Sequence, residues 1–146
     1  MNKKTQGTRP LLLLSNRPWN TDLAVRLNKD LDRPVHAIWK PTELQEELVE
    51  ALDPEWIFVP HWSHIIPTTI WTRWPTVIFH MTDLPYGRGG SPLQNLIKRG
   101  KNSTVLTALR CSEELDSGPI YLKNFLSLHG TAEEIFLRTD TLIQAM

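Results

Sequence analysis

His80 and Asp116, far apart in the chain, are the residues of this sequence best suited to acid–base chemistry. His80 ends the apolar run TVIF, and a polar residue closing a buried strand needs a partner or a task. Asp116 lies in the loop 111–118, CSEELDSG, beside Glu113 and Glu114. Asp-Ser-Gly is good turn chemistry, so an Asx-turn is the plainer reading of Asp116, and solvated surface that of the two glutamates. An imidazole and a carboxylate projecting into one crevice, however, would divide acid and base roles between them.

Other groups surround this pair. Gly87-Arg88-Gly89-Gly90 precedes a helical pattern at 92–98 with Leu93, Leu96 and Ile97, where backbone N–H groups could cradle a phosphate. The run fits neither the Walker nor the dinucleotide fingerprint, so its composition alone argues for phosphate. A second apolar run, 56–59, exits into Pro60-His61-Trp62-Ser63-His64. The three histidines match no zinc spacing, and no metal is expected. Cys111 is the single cysteine; it excludes an internal disulfide, fits a reducing compartment, and reads as a small inert strand residue rather than a nucleophile.

The elements that must position these groups follow from periodicity. Leu11 to Leu14 reads as a buried first strand. A helix then carries Leu23, Ala24, Leu27 and Leu31, capped by Asn20 or Thr21 and stopped by Pro34. Residues 35–39 form a second strand. Pro41-Thr42 open a helix through Leu44, Leu48 and Leu52, with Glu43, Glu46 and Glu47 outward. Residues 56–59 and 76–80 are the third and fourth strands, separated by a short helical or irregular segment. This alternation predicts an α/β fold with a mostly parallel sheet and right-handed crossovers. The runs 104–110 and 119–125 predict a hairpin at the sheet edge. Thr131 with Glu134 is a capping box opening a last helix through Ile135, Leu137 and Leu142. In a parallel sheet the strand C-terminal ends share one crevice, which would gather His61, His64 and His80 if the third and fourth strands are neighbours.

The 146 residues, 40% hydrophobic and 22% charged, fit one domain, 1–146, with a core of its own. Sixteen basic and sixteen acidic residues cancel, which argues against general affinity for nucleic acid or anionic membrane. The basic N-terminus is followed by an apolar run too short for a signal peptide or membrane span, so a cytoplasmic location is expected.

HMTDLPYGRGGSPLQ and ELDSGPIYL together resemble the 10-formyltetrahydrofolate-dependent formyltransferase family. That family has Asn-x-His, a Ser-Leu-Leu-Pro turn, Arg-Gly, a Pro before a helix, and later Leu-Asp-x-Gly ahead of a strand. His80, Leu84, Pro85, Arg88, Gly89 and Pro92 fall in register with the first block, and Leu115, Asp116 and Gly118 with the second. The segment 58–67, ending Ile65-Ile66-Pro67, is similar to the family's strand and folate-side loop. The resemblance implies a Rossmann-like formyltransferase fold, with His80 and Asp116 catalytic and 10-formyltetrahydrofolate as formyl donor. It implies a folate side built from His64, Ile65, Ile66, Leu84, Leu115 and Ser117, and acceptor contacts from Trp62, Tyr86, Arg88 and Gly89.

One departure stands out. Ile78 replaces the family's asparagine two residues before the histidine, on the same strand face as His80. Loss of one oxyanion donor typically costs ~10²–10³ in rate. Either His61 or Ser63 substitutes as donor, or the chain is weakly active or inactive. With no net charge and an early stop after the last helix, the expected acceptor is a nucleotide-linked amino sugar, in the manner of surface-polysaccharide enzymes, and not tRNA or other nucleic acid. A homodimer remains open. The alternatives are a non-catalytic folate- or sugar-nucleotide-binding domain, and a hydrolase releasing formate from the folate.

Overall fold

Four leucines and a serine make the first strand, β1 (Leu11–Ser15), buried along its whole length. A strand that reads as continuous apolar sequence must be covered on both faces. The computed structural model describes residues 8–146, so most of the basic N-terminal stretch lies outside the described residues. The remaining strands are β2 (Val35–Ile38), β3 (Trp56–His61), β4 (Thr76–His80), β5 (Ser103–Arg110) and β6 (Ile120–Ser127). They form one six-stranded sheet in the order β2-β1-β3-β4-β5-β6. The first four strands run parallel, while β4 pairs antiparallel with β5 and β5 with β6. The α/β architecture, the parallel run and the edge hairpin agree with the sequence reading. Because β2 and β3 lie on opposite sides of β1, the strand order reverses between β1 and β3. In open α/β sheets ligands favour such a switch point.

Five helices cover the sheet: α1 (Thr21–Asp30), α2 (Glu46–Leu52), α3 (Thr68–Trp71), α4 (Pro92–Lys98) and α5 (Ala132–Ala145). Leu12, Leu14, Ile57 and Val59 pack with Val49 of α2, Ile70 of α3 and Trp74 in one core cluster. Leu23 of α1, Leu93 and Leu96 of α4, and Ile135 and Ile143 of α5 pack with Leu106 and Leu126 in a second. Thr131 accepts the Glu134 N–H at 3.2 Å, so Thr131 caps α5 as expected.

Three expectations are corrected. Residues 41–43 make a separate 3-10 turn, and α2 begins only at Glu46. Its buried residue is Val49, while Leu48 is exposed. In α5 Leu137 points to solvent, and Thr139 and Asp140 are buried in its place. Finally, β3 extends through Pro60 to His61, which pairs with Ser15 across an irregularity in the β1–β3 register.

Candidate active site

The end of β4 and the two loops that follow build a compact polar cluster. His80, 6% exposed, is held at Nε2 by the carbonyl of Gly87 at 2.7 Å. A carbonyl only accepts, so Nε2 carries the proton. The other ring nitrogen, Nδ1, stands 3.7 Å from Asp116 Oδ2. Asp116 has its side chain 6% exposed and its backbone in the left-handed region, φ 53°. Aspartate tolerates that region better than most residues, and there its carboxylate turns inward to accept the Gly89 N–H at 2.9 Å. The glycine loop therefore ties both side chains: Gly87 fixes the histidine and Gly89 the aspartate.

Two glycines make this approach possible. Gly87 has φ +71°, and a Cβ there would lie 2.6 Å from Thr82 Cγ2. A Cβ on Gly118 would lie 1.9 Å from the Arg110 carbonyl oxygen, where the chain re-enters the hairpin. The Arg110 N–H in turn donates to the Pro119 carbonyl at 2.8 Å. The loop bearing Asp116 is thus clamped onto the end of β5.

The other expected site residues divide into two groups. Leu84 and Ile66 are buried, and Ile66 belongs to the core cluster. Ile65 is 92% and Leu115 63% exposed, two apolar side chains that the fold leaves in solvent. Trp62 packs against the core with its indole Nε1 buried and unpartnered among the described residues, and its ring meets His64 edge-on at 6.5 Å. Ser117 donates to the Glu114 carbonyl at 2.8 Å, a local turn bond. Tyr86 accepts from Arg99 at 3.0 Å, and Arg88 lies 3.4 Å from Glu114 on the surface. The Gly89 N–H, spent on Asp116, is not free for a phosphate.

β3 and β4 are neighbours, as the shared crevice requires, but the contacts of His61 point toward β1. Its Nδ1 accepts from Arg17 Nε at 3.3 Å and lies 3.4 Å from Asn16 Oδ1; the Trp19 ring meets it edge-on at 5.9 Å. Burial and the Arg17 charge lower its pKa to about 4, so it is a neutral acceptor near pH 7. Among the described residues no hydrogen bond joins His61 or Ser63 to His80 or Asp116. Asn16, Arg17 and Trp19, beside the switch point, carried no motif in the sequence, and Asn20, expected as a helix cap, makes no side-chain cap bond; their signal was the polar break directly after a fully apolar strand.

The formyl transferase family model matches residues 28–140, most of the chain, and includes both His80 and Asp116. The chain belongs to the formyl transferase family. It is 30% identical over 115 residues to the methionyl-tRNA formyltransferase of a Nitratiruptor species, covering 76% of this chain and 37% of that protein. The solved methionyl-tRNA formyltransferase from Clostridium thermocellum superposes with a TM-score of 0.88 at 42% identity, over 92% of this chain and 60% of that one. A structure of HypX from Aquifex aeolicus in complex with tetrahydrofolic acid has a TM-score of 0.70 at 24% identity, over 92% of this chain and 26% of that one, a likeness of fold alone. The chain thus spans just over a third of the length of the curated relative. The family's formyl donor is 10-formyltetrahydrofolate.

These comparisons overturn two expectations. The nucleotide-linked amino sugar as acceptor and the exclusion of nucleic acid both fail, because the matched relatives are named for a tRNA acceptor. Net charge averages over the whole surface and so does not exclude a local basic contact. The chain's length carries no information on the acceptor either, as it spans only part of its relatives. No helix among the described residues is long and apolar enough to cross a membrane.

Proposed function

We propose that this chain transfers the formyl group of 10-formyltetrahydrofolate to the amine of an aminoacyl-tRNA, with His80 and Asp116 at the reacting centre. The observation that carries the reading is the near-buried His80–Asp116 pair at the strand end of a formyl transferase family member. In this reading residues 1–146 act as one catalytic domain.

The amine nitrogen forms a bond to the formyl carbon, the bond from that carbon to the folate nitrogen breaks, one amine proton leaves, and the released folate nitrogen takes up a proton in its place. Nδ1 of His80 and the Asp116 carboxylate lie together where that proton can be taken. Once protonated at both nitrogens, His80 offers a charged donor to the oxygen on which negative charge develops. The Gly87 carbonyl keeps the ring from rotating during both events. Asp116, tied to Gly89, keeps its second oxygen for substrate or solvent.

The residues present fit a folate. The apolar faces of a flat heterocycle suit Ile65 and Leu115, which the fold leaves exposed. Trp62, Tyr86 and Arg88 are left for the acceptor. One test is to supply labelled donor and methionyl-tRNA to the purified chain and to its His80→Ala variant. Label on the amino acid's amine with the parent, and ~10²–10⁴-fold less with the variant, is expected.

Ile78 favours a second reading. It places a half-buried aliphatic side chain on the His80 face of β4, so the chain has no strand-borne amide donor there. Folate binding without transfer to any amine would support a binding module. Formate release with no amine present would mark a hydrolase.

A further inference from the structure

On the opposite side of β3 from β4, a buried polar chain joins α5 to the loop at the switch point. Asp140 of α5 is 1% exposed. Its Oδ1 accepts from Asn20 Nδ2 at 2.6 Å; Asn20 Oδ1 accepts from Ser15 Oγ at 2.5 Å; Ser15 Oγ accepts the Arg17 N–H at 3.1 Å. Asn20 and Ser15 are themselves almost wholly buried. A parallel contact runs beside this chain, for Trp19 stacks on Phe136 of α5 at 4.2 Å. On its far side the loop grips the end of β3, through the Asn16 N–H to the His61 carbonyl at 3.1 Å and Arg17 Nε to His61 Nδ1.

We propose that Asp140 is a positioning residue: through Asn20 and Ser15 it sets the loop 16–20, and with it Arg17 and His61 at the switch point. This rests on the formyl-transfer reading and adds to it that the crevice at the switch point, beside Arg17 and His61, takes part of the acceptor. The direction of the hydrogen bonds explains how a proton controls it. An ionised Asp140 only accepts, which forces the Asn20 amide to face it with Nδ2 and to turn Oδ1 toward Ser15. A protonated Asp140 can donate, so either amide orientation is allowed and the hold on Ser15 loosens. Burial is the main cause that raises the Asp140 pKa to about 7; the Asn20 hydrogen bond and the Arg26 charge oppose it, and the Asp22 charge adds to it. Arg26 and Asp22, both on α1, are the charged groups that face Asp140 from the neighbouring helix. Asp140 Oδ2 and Arg26 Nε are each buried without a hydrogen-bond partner among the described residues.

The test reads the loop directly. In the full chain, the Trp19 indole N–H and the His61 ring, assigned with Trp19→Phe and His61→Asn, are followed by NMR from pH 5 to 9. Both resonances are expected to shift with a midpoint near 7, and Asp140→Asn, which keeps the shape and loses the titration, is expected to flatten both. Ser15→Ala leaves the Asp140–Asn20 bond in place and is expected to keep the Trp19 response while removing that of His61. With methionyl-tRNA and 10-formyltetrahydrofolate as substrates, Asp140→Asn should raise the KM for the tRNA about tenfold with kcat within about twofold. Unchanged titration of both resonances in Asp140→Asn, or a His61 response that survives Ser15→Ala, overturns the proposal. The NMR arm works whether or not the chain turns over, so a failure of formyl transfer is distinguishable from a failure of the relay.

Discussion

Asp116 Oδ2 lies 3.7 Å from His80 Nδ1 while the same carboxylate accepts the Gly89 N–H at 2.9 Å. The glycine loop thus orients the carboxylate, and the histidine receives its outcome. Asp116→Asn keeps an oxygen for Gly89 and tolerates the left-handed backbone, but it removes the charge beside Nδ1. Activity should fall ~10²-fold or more with the melting temperature little changed, measured as turnover and thermal unfolding on the same preparation. Equal turnover would show that the carboxylate charge plays no part.

Gly118→Ala tests the clamp behind that pair. A Cβ 1.9 Å from the Arg110 carbonyl must push the Asp116 loop away from β5. The expected result is a stability loss of about 1–3 kcal/mol together with a loss of activity. Denaturant unfolding and a turnover assay read the two effects separately, and an unaltered midpoint would contradict the packing described here.

Ile78→Asn returns an amide to the His80 face of β4. If a missing donor limits the rate, kcat should rise ~10-fold or more. Because Ile78 packs partly into the core, stability should fall by about 1–3 kcal/mol. A kcat that stays flat at intact folding would mean that another group already serves the developing charge.

Two buried groups pull the pH dependence of stability in opposite directions. His61 has its pKa lowered to about 4 from an ordinary 6.5, so the unfolded chain binds the extra proton and stability falls as pH drops from about 6.5 to 4. Asp140 is raised to about 7, so the folded chain binds the extra proton and stability falls as pH climbs from about 4 to 7. Between pH 4 and 6.5 the two contributions offset one another. Asp140→Asn should therefore expose a profile that rises across that range, and His61→Asn one that declines. Denaturation midpoints at half-unit pH steps check both, and parallel curves for the two variants would be the contrary result.

What the sequence showed of the fold was set by local pattern. The four leucines of β1, the run ending at His80 and the Thr131–Glu134 cap each carry their structure in adjacent residues, and each formed as expected. The pairing of His80 with Asp116 was legible through two separate motif blocks, not through any property of the residues between them. The Ser15–Asn20–Asp140 chain was not, because Asn20 and Asp140 lie 120 residues apart and meet only when α5 packs beside the β1 loop. Helical spacing does hold a trace of it, since Phe136, Asp140 and Ile143 share one face. Ile135, Leu137 and Leu142 do not by themselves mark that face, and Leu137 is exposed. The acceptor is not legible in the net charge, because net charge describes an average and an interface depends on where the charges sit.

The most direct measurement follows a labelled formyl group from 10-formyltetrahydrofolate in the presence of methionyl-tRNA, for the parent chain, His80→Ala and Asp116→Asn. Label on the aminoacyl amine with the parent, lost in both variants while folate binding persists, is the predicted result. Transfer that proceeds equally well without His80 would contradict the account.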